Sequence, residues 1–398
     1  MPVTTTTSGS LPRTPALIEA NAARALADDG FTLRSTPEFE ALTAQAVADV
    51  VERQRDAGIT LVGDGEFGKA MSNAVDYGAW WSYSFQRVSG LALTEAGAFS
   101  AFSAVDPPVR RSEPGAVRLT SFPDRRDRVL FPDVYAQAVE TGRIATAFPT
   151  TTGPLAYRGQ DAVASDIRNL TAALHDGEQG FLTAIAPGSA ARVHNEYYAD
   201  DEEHVFAWAE ALREEYRAIV DAGLLLQLDD PSLAENYDQI NPAPSIRDYQ
   251  EFTRIRVDAI NDAIAGLPKE QVRLHLCWGS WHGPHTTDIE LADILPVILQ
   301  ARVGSISFEA GNVRHEHEFG AWADAAVPDD LVLVPGVVSH ATNVVEHPEL
   351  VAQRIRRYTH IVGEDRVIAS TDCGLGGRIH PDIAWAKLES LGAGARRA

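Results

Sequence analysis

The sequence predicts an α/β chain folded as a (β/α)8 TIM barrel, with an aromatic- and arginine-rich segment inserted between its second and third strands. Three observations predict it. Short apolar runs alternate with helical patterns through the second half: Leu224–Leu228, Val272–Cys277, Ile306–Glu309, Leu331–Val338 and Val367–Thr371. Their centres are continuously apolar rather than alternating, as parallel strands covered on both faces are. Several then end in polar, chemistry-bearing residues, and the carboxyl ends of its strands are where a barrel builds its active site.

Thr4–Thr7 are β-branched and read as a first strand, closed by Ser8-Gly9-Ser10-Leu11-Pro12-Arg13. Helical patterning follows over 15–27 and 37–58. Ile59–Val62 reads as the second strand, and Gly63-Asp64-Gly65-Glu66 places Glu66 at its end. From Phe67 to Asp133 no period holds. Tyr77, Trp80, Trp81, Tyr83 and Phe85 mix there with glycine and proline, so 67–133 reads as an insertion or lid within one domain spanning 1–398. Arg110, Arg111, Arg125, Arg126 and Arg128 give that segment a basic patch, a candidate for binding phosphate or carboxylate.

Ile144–Phe148 reads as the next strand, before a turn at Thr152-Gly153-Pro154. A helix over 201–222 carries Val205, Trp208, Leu212, Tyr216 and Ile219 at helical spacing, and Gly223 closes it. Helices over 245–265, 288–301 and 348–362 separate the remaining strands. That makes nine strand signals for eight places. Phe181–Ala186 is assigned to an insertion, because no convincing helix separates it from the strand before.

Composition excludes several function classes. A net charge of -22 opposes long-range attraction to nucleic acid or an anionic membrane. No run approaches the ~18 apolar residues of a transmembrane helix. Two cysteines far apart make no disulfide framework, which suits a reducing cytoplasm. Met1-Pro2-Val3 and the four threonines after it lack the features of a signal peptide.

Alternation puts His275 and Cys277 on one face of their strand, a nitrogen and a sulfur able to hold one zinc ion. Cys373, in Thr371-Asp372-Cys373-Gly374, and Glu309 also close strands and are further candidates. The structural alternative makes each cysteine a small buried apolar residue and the histidine a hydrogen-bonded core group. Glu66 and Asp229 are carboxylates at the same end of the barrel. They either cap the following helices or serve a substrate ammonium and acid–base work.

Taken in order, Thr5–Arg13, Gly63–Glu66, Thr152-Gly153-Pro154, Gln227-Leu228-Asp229-Asp230-Pro231, His275-Leu276-Cys277, Phe308-Glu309 and Thr371–Gly374 resemble the catalytic zinc barrel of the cobalamin-independent methionine synthases. The loop His315-Glu316-His317-Glu318 and the segment 344–349 are similar to its single-barrel branch, which includes the epoxyalkane:coenzyme M transferases. The resemblance implies zinc held by His275, Cys277, Glu309 and Cys373, and homocysteine contacts near Ser10, Glu66 and Asp229. Asp230 stands where the family has glutamate, and the family's Gln-Ser-Tyr-Gly-Ser-Arg stretch has no counterpart.

The implied activity is transfer of a methyl or alkyl group to a substrate thiol that zinc activates, as in methionine biosynthesis. The small-molecule partners are then a thiol and an alkyl donor. His340 is the first candidate for the general acid, with His282 and His285 behind it. Trp278, Trp281, Trp80 and Trp81 are candidates to stack on a pterin. Homocysteine suits Glu66 and Asp229, whereas coenzyme M would favour Arg13 or Lys69. A non-catalytic zinc- or thiol-binding barrel and a metal-free barrel enzyme are the readings from other classes.

Overall fold

The computed structural model describes residues 3–69, 79–94, 112–120, 124–140 and 149–398. The chain opens with β1 (Thr4–Thr5), α1 (Pro15–Ala22), α2 (Pro37–Asp56) and β2 (Val62–Gly63). Then come α3 (Ala79–Arg87), β3 (Val88–Ala92), α4 (Arg126–Leu130), α5 (Pro132–Glu140), β4 (Thr150–Tyr157) and α6 (Gln160–Ala173). The regular part continues with β5 (Gly180–Ile185), α7 (Pro187–Ala190), α8 (Asp201–Asp221), β6 (Leu225–Asp230), α9 (Ile246–Ala263) and β7 (Val272–Leu276). It ends with α10 (Leu291–Ile298), β8 (Ser305–Glu309), α11 (Phe319–Asp324), β9 (Val332–Val338), α12 (Pro348–Val362), β10 (Ile368–Thr371) and α13 (Pro381–Ala395).

Local chemistry starts these helices where the sequence says they start. Thr14, Thr36, Asp200 and Ser245 each accept a hydrogen bond from the N–H three residues on, and Pro15 and Pro37 occupy first-turn positions whose N–H needs no partner. Helix α8 then buries Val205, Trp208, Leu212, Tyr216 and Ile219 against the sheet. Each such side chain contributes roughly 1.5–3 kcal/mol of burial.

Eight parallel strands form one sheet in the order β1-β10-β9-β8-β7-β6-β5-β2. Its two edges meet. The N–H groups of Thr60 and Leu61 donate to Thr5 O at 3.1 and 2.9 Å, and Thr6 Oγ1 donates to Leu61 O at 2.9 Å. The sheet therefore curls round on itself in a TIM-barrel-like arrangement. Every strand's carboxyl end faces the same way.

The structure corrects the strand count. Phe181–Ala186 is no insertion: β5 pairs with β2 on one side and with β6 on the other. The helix before it, α6, was hard to see because it buries only Val163, Asp166 and Leu170 and so carries little apolar period. Thr152-Gly153-Pro154 is not a turn but lies inside β4, which pairs antiparallel with β3 in a separate two-stranded sheet. The strand expected over Ile144–Phe148 lies outside the described residues, as do Tyr77, Arg110 and Arg111.

Two arginines of the inserted segment, Arg125 and Arg126, are occupied. Arg125 is buried against Asp238 at 2.6 Å and Glu235 at 3.3 Å, and Arg126 donates to Tyr237 O and Thr287 O. These contacts fasten the segment across the loops that follow β6 and β7. None of the described helices is long and apolar enough to cross a membrane.

Candidate metal centre

Three strand ends converge on one point. His275 lies in β7, Cys277 just after it and Cys373 just after β10, and one ligand atom from each lies within 4.8 Å of the others. The two sulfurs are 3.8 Å apart although 96 residues separate them in sequence. His275 Nδ1 is held by Ser307 Oγ at 3.1 Å, while its Nε2 is buried without a hydrogen-bond partner. A histidine oriented through one nitrogen and open at the other is how a metal-ligating imidazole is prepared.

Electrostatics suit a cation. Hydrogen bonding from Cys277 draws the Cys373 thiol well below its ordinary range, with His275 adding to the effect against burial. Cys277 is pushed up in turn, by the same contact and by burial. Burial works against a charged His275, but Cys373 and the carboxylates of Asp229 and Glu309 raise its pKa above the usual value. Two soft sulfurs and an open imidazole nitrogen amid negative charge are donors that could hold a metal ion, and they suit zinc.

Glu309 stands beside this cluster rather than within the group of mutually close atoms. Its Oε1 accepts from Trp278 N at 2.9 Å and its Oε2 from Asn312 Nδ2 at 2.5 Å. Gly279 N donates to Cys277 Sγ at 3.2 Å, and Ser280 Oγ lies 3.5 Å from Cys373 Sγ.

The carboxylates gather next to the cluster. Asp229 is the β6 neighbour of His275, and Gln227 Nε2 donates to its Oδ1 at 2.6 Å. Burial, helped by the charge of Glu66 and opposed by His275 and Lys69, pushes Asp229 up to about 7. Glu66 sits at φ 62°, a left-handed conformation rare for a side-chain-bearing residue. Asp64 Oδ1 accepts its N–H at 2.8 Å, and Arg13 donates to its carbonyl at 2.8 Å. Glu66 Oε1 accepts from Thr183 Oγ1 at 2.9 Å, with Lys69 Nζ at 3.9 Å. Gly9 is required here: its φ is +118°, and a Cβ on it would come within 2.5 Å of Glu66 Oε1.

Residues 170–395 match the family described as the cobalamin-independent synthase catalytic domain. The chain belongs to that family. Among curated relatives, it is 25% identical over 229 residues to a 2-hydroxypropyl-CoM lyase of Xanthobacter autotrophicus, covering 50% of this chain and 56% of that one. It is 28% identical over 198 residues to a methionine synthase of Thermococcus kodakarensis, covering 50% of each. The chain thus spans about half the length of the curated relatives it matches. A B12-independent methionine synthase from Shewanella sp. W3-18-1, solved with selenomethionine, superposes with a TM-score of 0.70 at 18% identity over 100% of this chain and 98% of that one. At that identity the likeness shows the shared fold.

Within this family barrel, the other residues singled out from sequence divide sharply. Ser10 lies against the Cys373 loop, its carbonyl accepting from Leu375 N at 2.8 Å and Gly376 N at 3.1 Å. His340 is buried at the end of β9 with Nδ1 unpartnered, and burial pulls its pKa down to about 3. It is a neutral imidazole. His285 is tied to Asp288 at 3.0 Å and to Trp281 O, and His282 Nε2 lies 3.1 Å from Arg378 O. Trp278 stacks on His315 at 4.3 Å, and Trp281 stacks on His285 at 4.0 Å with Arg125 3.5 Å from its ring. These tryptophans are already partnered.

Asp230 turns away from the cluster. Its Oδ1 accepts from Ser189 Oγ, Ser232 N and Ser232 Oγ, so it pins the turn after β6. Sequence reasoning missed the residues that orient the site: Ser307, Asn312, Gln227 and Thr183. All four are small or amide side chains whose roles depend on which strand lies beside them. Ser307 and Gln227 carried one usable signal, each lying two residues before a site carboxylate and so on the same face of its strand.

Proposed function

We propose that this chain is a zinc-dependent thiol alkyltransferase of the methionine-synthase type, moving a methyl group onto homocysteine or a thiol like it within a closed (β/α)8 barrel. The supporting observation is the convergence of His275, Cys277 and Cys373 beside two buried carboxylates, Glu66 and Asp229. Zinc bound there lowers the pKa of a substrate thiol, so that the nucleophilic thiolate prevails at neutral pH. Glu309, whose two oxygens accept from Trp278 N and Asn312 Nδ2, would be the fourth donor to a zinc ion held by His275, Cys277 and Cys373.

The protein's own groups do the rest. Glu66 and Asp229 receive the substrate ammonium, and Ser10 orients the thiol's other end. His340, at the end of β9 and close enough to feel the charge of Cys373, is the general acid toward the leaving group, a role that requires bound thiolate and donor to raise its pKa from the value of about 3 that burial sets. Two carboxylates beside Lys69, and an Arg13 that donates to Glu66 O and Lys69 O, favour an ammonium over a sulfonate.

The test is elemental analysis for zinc in wild type, Cys277→Ser and Cys373→Ser, followed by turnover with homocysteine and with coenzyme M. The reading expects about one zinc per chain, lost in both variants, and activity on the amino-acid thiol. A zinc-free wild type, or zinc retained in both variants, would end it. Activity on coenzyme M alone would replace homocysteine with the sulfonate thiol.

A further inference from the structure

Both sulfurs of the metal centre rest on one short stretch of chain. After Cys277 the sequence runs Trp278-Gly279-Ser280-Trp281. Gly279 N donates to Cys277 Sγ at 3.2 Å, and Ser280 Oγ lies 3.5 Å from Cys373 Sγ. Consecutive residues therefore meet the two sulfurs, one each. The Trp281 side chain folds back over this stretch. A Cβ on Gly279 would come within 1.9 Å of its Cζ3, and one on Gly283 within 2.0 Å of its Nε1, so the indole fills the room that two glycines leave.

The inserted segment holds that indole in place. Trp281 Nε1 donates to Tyr135 Oη of α5 at 2.8 Å, and the Arg125 guanidinium carbon lies 3.5 Å from the centre of its ring. Arg125 is itself paired with Asp238 and Glu235, so it brings a cation–π contact without an uncompensated charge. Tyr135 Oη donates onward to Asp127 Oδ2 at 2.9 Å. The buried Asp127 carboxylate also accepts the N–H groups of His285 and Thr286, each at 3.1 Å, and the Thr286 hydroxyl at 2.9 Å. Four donors satisfy both its oxygens. The path of contacts is unbroken from Asp127 through Tyr135, Trp281 and Gly279 to Cys277.

We infer that Trp281 is a positioning residue of the metal centre. Held by Tyr135 and Asp127 of the inserted segment, it keeps Gly279 and Ser280 against the two sulfurs, so that both cysteines stand pre-set for one ion. It acts through the Gly279 N–H and the Ser280 hydroxyl rather than as a ligand. Without it the loop must be ordered at the moment the ion binds, and Cys277 loses the N–H donor that stabilises its thiolate. The inference rests on the zinc reading above and adds to it that the inserted segment, far from the ligands in sequence, sets metal affinity.

The experiment is a zinc competition titration of the full chain against a chromophoric chelator, with the absorption spectrum of the cobalt(II)-loaded protein recorded beside it. Thermal unfolding of the metal-free proteins checks the fold. Trp281→Ala is expected to bind zinc about 10- to 100-fold more weakly, the usual loss when a partner outside the ligand set is removed. Its sulfur-to-cobalt charge-transfer band should move to longer wavelength, because a thiolate deprived of an N–H donor gives up electron density more readily. Tyr135→Phe removes one oxygen that touches no ligand, and should move both readouts the same way by less, about three- to tenfold in affinity. Wild-type affinity in Trp281→Ala overturns the inference. So does weaker binding with an unmoved cobalt band, which marks a general loosening of the fold, or a loss that Tyr135→Phe does not share. If Trp281→Ala fails to fold, Tyr135→Phe decides by the same two readouts. A wild type that binds neither metal ends the functional reading, and this inference with it.

Discussion

Replacing Glu66 with glutamine separates the charge of the substrate pocket from its shape. Glu66 is 2% exposed, and its Oε1 already takes the Thr183 hydroxyl at 2.9 Å with Lys69 at 3.9 Å. Glutamine can still accept from Thr183 and fills the same space beside Gly9. The lost element is one negative charge aimed at the incoming ammonium. A hydrogen bond to a charged group contributes about 1.5–3 kcal/mol, so homocysteine should bind roughly 10- to 150-fold more weakly. A thiol of equal length without the amino group should change by less than about threefold. Calorimetric titration of the zinc-loaded variant with both thiols measures the contrast. Equal losses for the two would show that Glu66 holds the fold rather than the substrate. Unchanged homocysteine binding would refute the pocket assignment.

Two further outcomes follow from single contacts. Gly374→Ala would place a methyl carbon on top of Ser10 Oγ. We expect it to displace the Ser10 loop and cost about 1–3 kcal/mol in a denaturant titration, with thiol binding lost. His204, outside the metal centre, accepts from Trp208 Nε1 at 3.1 Å, and burial depresses its pKa to about 4. The unfolded chain therefore binds this proton more readily. His204's stability contribution should be complete above about pH 6.5 and fade as pH falls toward 4, by up to about 3 kcal/mol. Thermal unfolding across that range should show this slope flattened in His204→Gln.

The fold class was legible because short apolar strand signals alternate with helical patterns from β6 to β10, with β9 apolar throughout while β7 and β8 interleave polar residues. β5 has the same signature; only the weakness of the apolar stripe on α6 hid its place in the barrel. In the site, the three residues that converge were readable because histidine and cysteine are scarce and stood at strand ends. Glu309 was read as a further ligand, and the structure sets it beside the three mutually close atoms, because which strand-end carboxylate comes closest to the sulfurs depends on side-chain rotamers that one-dimensional spacing does not contain.

The proton inventory of the cluster gives one more outcome. Cys373 is drawn well below the usual thiol range while Cys277 is held up, so Cys373 is the sulfur of the metal-free pair that gives up its proton first. His275 is raised, because the charge left on Cys373 and the nearby carboxylates favour its protonated form. A metal needs both sulfurs as thiolates and the imidazole neutral. Below neutrality, zinc must therefore displace two protons, one from Cys277 and one from His275. Zinc affinity should then rise with pH below neutrality, approaching a hundredfold per pH unit where both protons are still held, two protons' worth of linkage. Competition titrations across that range, with proton release measured in two buffers of different ionisation enthalpy, count them directly. A slope near one would mean that His275 is already neutral, and that the thiolate of Cys373 is stabilised by Cys277 alone.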